Sequence, residues 1–299
     1  MGSWAESRTI TKQTWGVVKQ NPYMLLFPVV AGVVSIIVVL VVGGAGLALL
    51  GVEGAFDDAR KVAEGSEQLP TSTIVTGVVV LVLAVYLATL VTQICMAGLV
   101  HCANEEMHDR DSSFGAGIGA AFAHLPALLG WAAIQTLVGW LLSMIQGNGG
   151  DNIFISIIRL VLASLAAVVW SVISFFVLPM IMLRDKGPIS GIKESVGLIR
   201  QTWGKQIAGG VRLGGVVFLL AFLPAMVLVA AGGFAIFSDK AALGVPLLAI
   251  GVIVLLAAQA LLSALRAVFS VALLHYAENQ EAIGPFDASE LQSAVRVKS

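Results

Sequence analysis

Residues 71–111 read TSTIVTGVVVLVLAVYLATLVTQICMAGLVHCANEEMHDRD. Between positions 74 and 102 there is no Asp, Glu, Lys or Arg; directly afterwards the chain turns densely polar. An apolar run of this length exceeds the roughly 20 residues that a helix needs to cross the hydrocarbon core. Barrel strands are about 9–11 residues long and alternate in polarity, which this run does not. Backbone groups in lipid must be satisfied within their own segment, so the run reads as a helix.

The same reading extends along the chain. Apolar residues make up 58% of the sequence, charged residues 12%, and mean hydropathy is +0.94, whereas soluble domains carry about 25% charged residues. Six spans are expected, at 23–50, 74–102, 126–146, 153–183, 207–237 and 243–276. Pro28, Pro179, Pro224 and Pro246 fall within or near the ends of spans, where neighbouring groups can satisfy the carbonyl that proline frees. Residues 1–20 carry Glu6, Arg8, Lys12 and Lys19 and no short apolar core with a cleavage site. No cleavable signal is therefore expected, and the first span would act as the insertion signal.

Basic residues set the orientation. With the amino terminus inside, the cytoplasmic segments hold Arg8, Lys12, Lys19, Arg110, Arg184, Lys186, Lys193, Arg200, Lys205, Arg296 and Lys298, against Arg60, Lys61 and Lys240 outside. This asymmetry predicts cytoplasmic termini. A net charge of −1 provides no basic field for nucleic acid. Cys95 and Cys102, seven residues apart on one helix, stand about 10 Å apart along its axis, beyond disulfide reach.

QTWG occurs at 13–16 and again at 201–204. AGLVHCANEEM and VALLHYAENQEA end the second and sixth spans, sharing His-x-Ala at His101 and His275. Arg-Asp follows the second and fourth spans at 110–111 and 184–185. These matches suggest three pseudo-repeated hairpins, 9–104, 113–183 and 188–280, each led by an amphipathic helix on the cytoplasmic side, with a closing amphipathic helix at 286–297. The whole chain, 1–299, is then one all-α polytopic membrane domain. Ile189, Ile192, Val196, Ile199 and Trp203 form one apolar stripe at helical spacing; Phe114, Ile118, Phe122 and Leu125 form another. Gly187-Pro188 suits a helix start, and Gly115, Gly117 and Gly119 suit close backbone approach. Lys193, Arg200 and Lys205 would face anionic headgroups, with Trp15 and Trp203 at headgroup depth.

The blocks TKQTWGVVKQNPYMLLFPVVAG, LVHCANEEMHDRDSSFGAGI and IKESVGLIRQTWGKQIAG resemble an uncharacterised bacterial family of six-span membrane proteins, a domain of unknown function, over about residues 8–280. The resemblance implies a membrane fold in the bacterial cytoplasmic membrane and no activity. A looser likeness is to the membrane domain of some glycerophosphodiester phosphodiesterases, without their hydrolase portion.

Three groups of residues bear on chemistry. His101, Glu105 and His108, at i, i+4 and i+7, would share a face of a continuing helix and are weak metal candidates; the plainer reading is a polar helix end reaching cytosol. Glu105-Glu106-x-x-x-Arg110 and His275-x-x-x-Asn279 match two patterns of the intramembrane CAAX-type proteases, which use glutamate and histidine to activate water, but that family's FxxxH motif is missing. No catalytic residue and no cofactor is therefore assigned. Gln259, Ser263 and Arg266 share a face of the last span and, with His101 and His275, are candidates for binding an anion or lipid headgroup. Arg159 and Arg212 read as snorkelling or structural. The expected function is non-enzymatic: a permease-like or membrane-organising protein handling lipid or a small amphipathic solute. The expected partners are the bilayer and its anionic lipids, with a second copy or another membrane protein as the scaffold alternative.

Overall fold

The computed structural model describes residues 12–50, 71–146, 153–203, 223–238, 241–280, 282–287 and 291. All regular structure among them is helical. A helical segment at 12–20 and a short 3-10 turn, Pro22–Leu25, lead into α1 (Leu26–Leu50). Then come α2 (Thr71–Glu106), α3 (Phe114–Ala123), α4 (Leu125–Gln146), α5 (Ile153–Ile173), α6 (Val177–Arg184), α7 (Pro188–Trp203), α8 (Leu223–Phe237) and α9 (Ala241–Asn279). Five helices are long and apolar enough to cross a membrane: Pro22–Gly46, Thr71–Glu106, Leu125–Ile145, Ile158–Arg184 and Ala242–Asn279. Of the remaining expected span, 207–222 lies outside the described residues, and α8 supplies 15 apolar residues of it.

The helices divide into two compact units whose boundaries fall inside helices. The first contains Met1–Val29, Cys95–Ala127 and Val169–Ser299. The second contains Val30–Ile94 and Leu128–Val168. In the first unit the packing is dense. Phe27, Leu99, Phe176, Ile181, Val268 and Leu274 are fully buried. Gly98 and Gly117 lie so close that a Cβ on Gly98 would stand 2.9 Å from the Gly117 carbonyl carbon and 2.7 Å from the Phe27 ring. Small residues permit this backbone approach. Phe27 also meets Phe114, with ring centroids 4.6 Å apart. Gly232 sits as tightly on α9, where an added Cβ would stand 2.9 Å from the Gly244 carbonyl oxygen, so α8 and α9 form a close hairpin. In the second unit Ser35 Oγ donates to the Ala88 carbonyl at 3.0 Å, and Gly46 packs against Val80. Ile37, Leu40, Leu81, Leu141 and Leu162 point outward.

Two expectations need correction. The fourth span, one candidate crossing at Ile158–Arg184, carries a turn within it. It breaks at 174–176, between α5 and α6. Pro179 has no N–H to offer the carbonyl four residues back, and its ring crowds that carbonyl. That carbonyl belongs to Phe175; at the same break the Val177 N–H turns to the Ser174 carbonyl at 3.2 Å, and fully buried Ser195 of α7 donates to the Ile173 carbonyl at 2.7 Å. The amphipathic stripes are also rotated. In α7 the packed face is Gly191, Ser195 and Ile199, while Ile189 is exposed. In α3 the packed face is Gly117 and Ala121, while Phe122 is exposed. Small residues seek the protein side, because lipid accepts the large apolar side chains.

Local signals set the helix ends. Ser113 caps α3, accepting from the Ala116 N–H at 3.2 Å. Pro188 starts α7, where its missing N–H costs nothing. The turns after α2, α6 and α9 each hold a left-handed residue that is not glycine: Asp109 (φ 55°), Asp185 (φ 51°) and Gln280 (φ 57°).

Candidate functional site

The polar end of α2 forms the densest cluster of the first unit. α2 stops at Glu106 and turns, so the helix that would align His101, Glu105 and His108 does not continue as expected. The His108 ring folds back, with Nδ1 2.7 Å from the Asn104 carbonyl. Because a carbonyl only accepts, that nitrogen carries the proton. Arg110 grips Glu105 with two hydrogen bonds, Nε to Oε2 at 2.6 Å and Nη2 to Oε1 at 2.8 Å. The Glu105 carboxylate in turn holds the Arg110 guanidinium proton more firmly than in a free arginine. Glu106 Oε1 accepts from the Tyr23 hydroxyl at 2.7 Å and the Ser112 N–H at 3.3 Å. Both glutamates of the protease-like pattern are thus engaged by neighbours. Among the described residues no group of three or more His, Cys, Asp or Glu side chains is placed to hold a metal ion.

Asn104, which the sequence did not single out, joins two helices. Its amide nitrogen donates to Glu105 Oε1 at 3.4 Å, which leaves Oδ1 as the acceptor facing His275 Nε2 at 2.9 Å. His275 also lies against His108, with ring centroids 5.1 Å apart. A relay therefore runs Arg110, Glu105, Asn104, His275, from the end of α2 into α9. His101, its partner in the sequence pattern, is half-buried on α2.

A second cluster follows α6. Arg184 pairs with Glu278 of α9, Asp185 Oδ1 lies 2.8 Å from His124 Nε2, and Lys186 Nζ lies 2.8 Å from Glu194 Oε1. Three consecutive residues thus tie the α6–α7 turn to α9, to the α3–α4 corner and to α7. The sequence displayed Arg-Asp as a repeated dipeptide, yet nothing local named their partners.

A cleft of about 530 Å3 opens in the first unit, its wall including Gln13, Gln20, Asn21, Glu106, Asp109 and Asp111. Its acidic residues disfavour an anionic headgroup. Arg266 is not among its lining residues.

The remaining candidates lie on helix surfaces. Lys193 and Arg200 are exposed on α7, and Trp15 is 40% exposed. Trp203 ends α7, its side chain undescribed, and Lys205 lies outside the described residues, as does Arg212. Arg159 is half-buried on α5. Gln259 and Arg266 are exposed on α9, with Ser263 half-buried between them. These three form a stripe that opens outward at Gln259 and Arg266.

Long apolar helices whose outward faces are apolar and whose polar clusters gather at helix ends define a multi-pass membrane protein. The sequence profile of the family of unknown function DUF6159 matches residues 75–284, and the chain belongs to that family. No curated protein and no solved structure matches it, so the looser likeness to glycerophosphodiester phosphodiesterase membrane domains has no counterpart there.

Proposed function

We propose that this is a non-enzymatic, membrane-organising protein of the bacterial cytoplasmic membrane that engages anionic lipid at its inner face through α7. The carrying observation is the exposed stripe Ile189, Lys193, Arg200 opposite the packed face Gly191, Ser195, Ile199. An apolar side chain followed by two cations along one helix face fits the boundary between acyl chains and headgroups, and each cation near an anionic surface contributes about 1 kcal/mol. Both termini lie in the cytoplasm on this reading. A three-unit repeat is supported by the left-handed residues Asp109, Asp185 and Gln280, one after each of α2, α6 and α9. Permease-like handling of a solute is the second form of the reading, and the inner-end cleft is the feature that favours it.

The test uses the full chain in nanodiscs, with an environment-sensitive fluorophore on Ile189→Cys. Emission is expected further to the blue in discs containing phosphatidylglycerol than in phosphatidylcholine alone, and the difference is expected to vanish in Lys193→Gln/Arg200→Gln. Identical emission in the two lipids would sink the assignment. Orientation is checked separately. A membrane-impermeant thiol reagent should label Lys193→Cys only after intact cells are permeabilised, and labelling before that step reverses the topology.

A further inference from the structure

The last span carries an arrangement that α7 does not explain. Gln259, Ser263 and Arg266 follow one another at i, i+4 and i+7, on one face of α9. Arg266 is about 20 Å from the inner end of the helix at 1.5 Å per residue, and Gln259 is near its middle. That face is open at both Gln259 and Arg266, while Ala264, Leu265, Ala267 and Val268 beside them are buried. No hydrogen bond or ion pair joins any of the three polar side chains to another described residue.

Polar groups left without partners on a membrane-spanning helix are expensive, and such groups mark functional positions. Their chemistry is that of a phosphate site. Arg offers a planar fork of donors, Gln a pair of N–H groups and Ser a hydroxyl, and none of them is an anion. We infer that the Gln259–Ser263–Arg266 stripe on the outer face of α9 binds the phosphodiester of a membrane phospholipid, drawn below its usual headgroup depth. The occupant is a lipid because the stripe opens outward on a membrane-spanning helix and lies outside the cleft lining. A second copy presenting the same stripe in the same membrane orientation would set Arg266 against Arg266, with like charges opposed. The inference rests on the lipid-engaging reading but uses a different helix and a different selectivity. α7 discriminates by net headgroup charge, whereas this stripe reads the phosphate that zwitterionic and anionic phospholipids share.

Native mass spectrometry of the full chain released from mild detergent tests it. The wild-type chain should retain phospholipid, phosphatidylethanolamine as well as phosphatidylglycerol. Arg266→Gln should weaken retention of both by roughly tenfold, the size expected from losing about 1.4 kcal/mol. Arg266→Lys should retain an intermediate amount, and Gln259→Leu/Ser263→Ala should weaken retention in a chain whose arginine is intact. Lys193→Gln/Arg200→Gln should lower retention of phosphatidylglycerol alone, whereas Arg266→Gln lowers phosphatidylethanolamine as well, so failure of the α7 assignment and failure of this one are read separately. Undiminished lipid on Arg266→Gln would overturn the proposal. So would displacement of the lipid by millimolar inorganic phosphate, which would reveal a site for a free anion.

Discussion

The two compact units share four helices, α1, α2, α4 and α5, and differ in how they pack. In the unit containing Cys95–Ala127 and Val169–Ser299, side chains such as Leu99, Met180, Ile181, Val271 and Leu274 are buried, and Arg110, Arg184 and Lys186 are paired with carboxylates. In the unit containing Val30–Ile94 and Leu128–Val168, leucines and isoleucines at 36, 37, 40, 81, 141 and 162 are exposed. The densely packed part of the first unit derives stability from protein-to-protein contact, while its α8 and the first half of α9, where Phe234, Leu243 and Ile253 are exposed, share the situation of the second unit. The second uses the bilayer as its solvent, where lipid tails are as apolar as leucine and no hydrophobic force drives helices together.

Five substitutions would break or sharpen that contrast. Leu274→Ala opens a cavity in the first unit and should cost about 2–5 kcal/mol, seen as a large fall in the melting midpoint of the solubilised protein. Gly117→Val drives a side chain into Gly98 and Phe27 and should cost about 1–3 kcal/mol. Size-exclusion profiles should show lost monodispersity, while Gly46→Ala, which meets only the flexible Val80 side chain, should remain monodisperse. Ser195→Ala strands the Ile173 carbonyl and should cost about 1–2 kcal/mol, read as faster amide exchange around residues 170–177. Leu81→Ala removes a side chain that is 63% exposed and should change stability by less than about 0.5 kcal/mol in bilayer unfolding assays. A Leu81→Ala cost equal to that of Leu274→Ala would erase the distinction.

Long-range composition and short-range packing were not equally legible in the sequence. Run length alone disclosed the helices around 74–102 and 243–276, because no other structure satisfies that much backbone in lipid. The break before α6 was harder to see. Pro179 was visible, but the serine that satisfies the Ile173 carbonyl at the break comes from another helix, 22 residues away. The faces of α3 and α7 that pack on protein were not marked by their large apolar stripes, for a related reason. Large apolar residues mark the core in water, whereas beside a membrane Gly117, Gly191 and Ser195 do so. His275 was singled out from its repeat with His101, yet its partner Asn104, 171 residues away, left no local trace. Arg266, Gln259 and Ser263 shared a face in sequence as they do in the fold, but only burial told which way that face pointed.

The length of α9 has one more consequence. Its 39 residues make a rod of about 58 Å, while hydrocarbon and headgroups together span about 40–45 Å. Such a rod does not gauge the thickness of its surroundings. Its vertical position is governed by where its polar groups find water and phosphate, so thin and thick membranes alike can host it with a change of tilt.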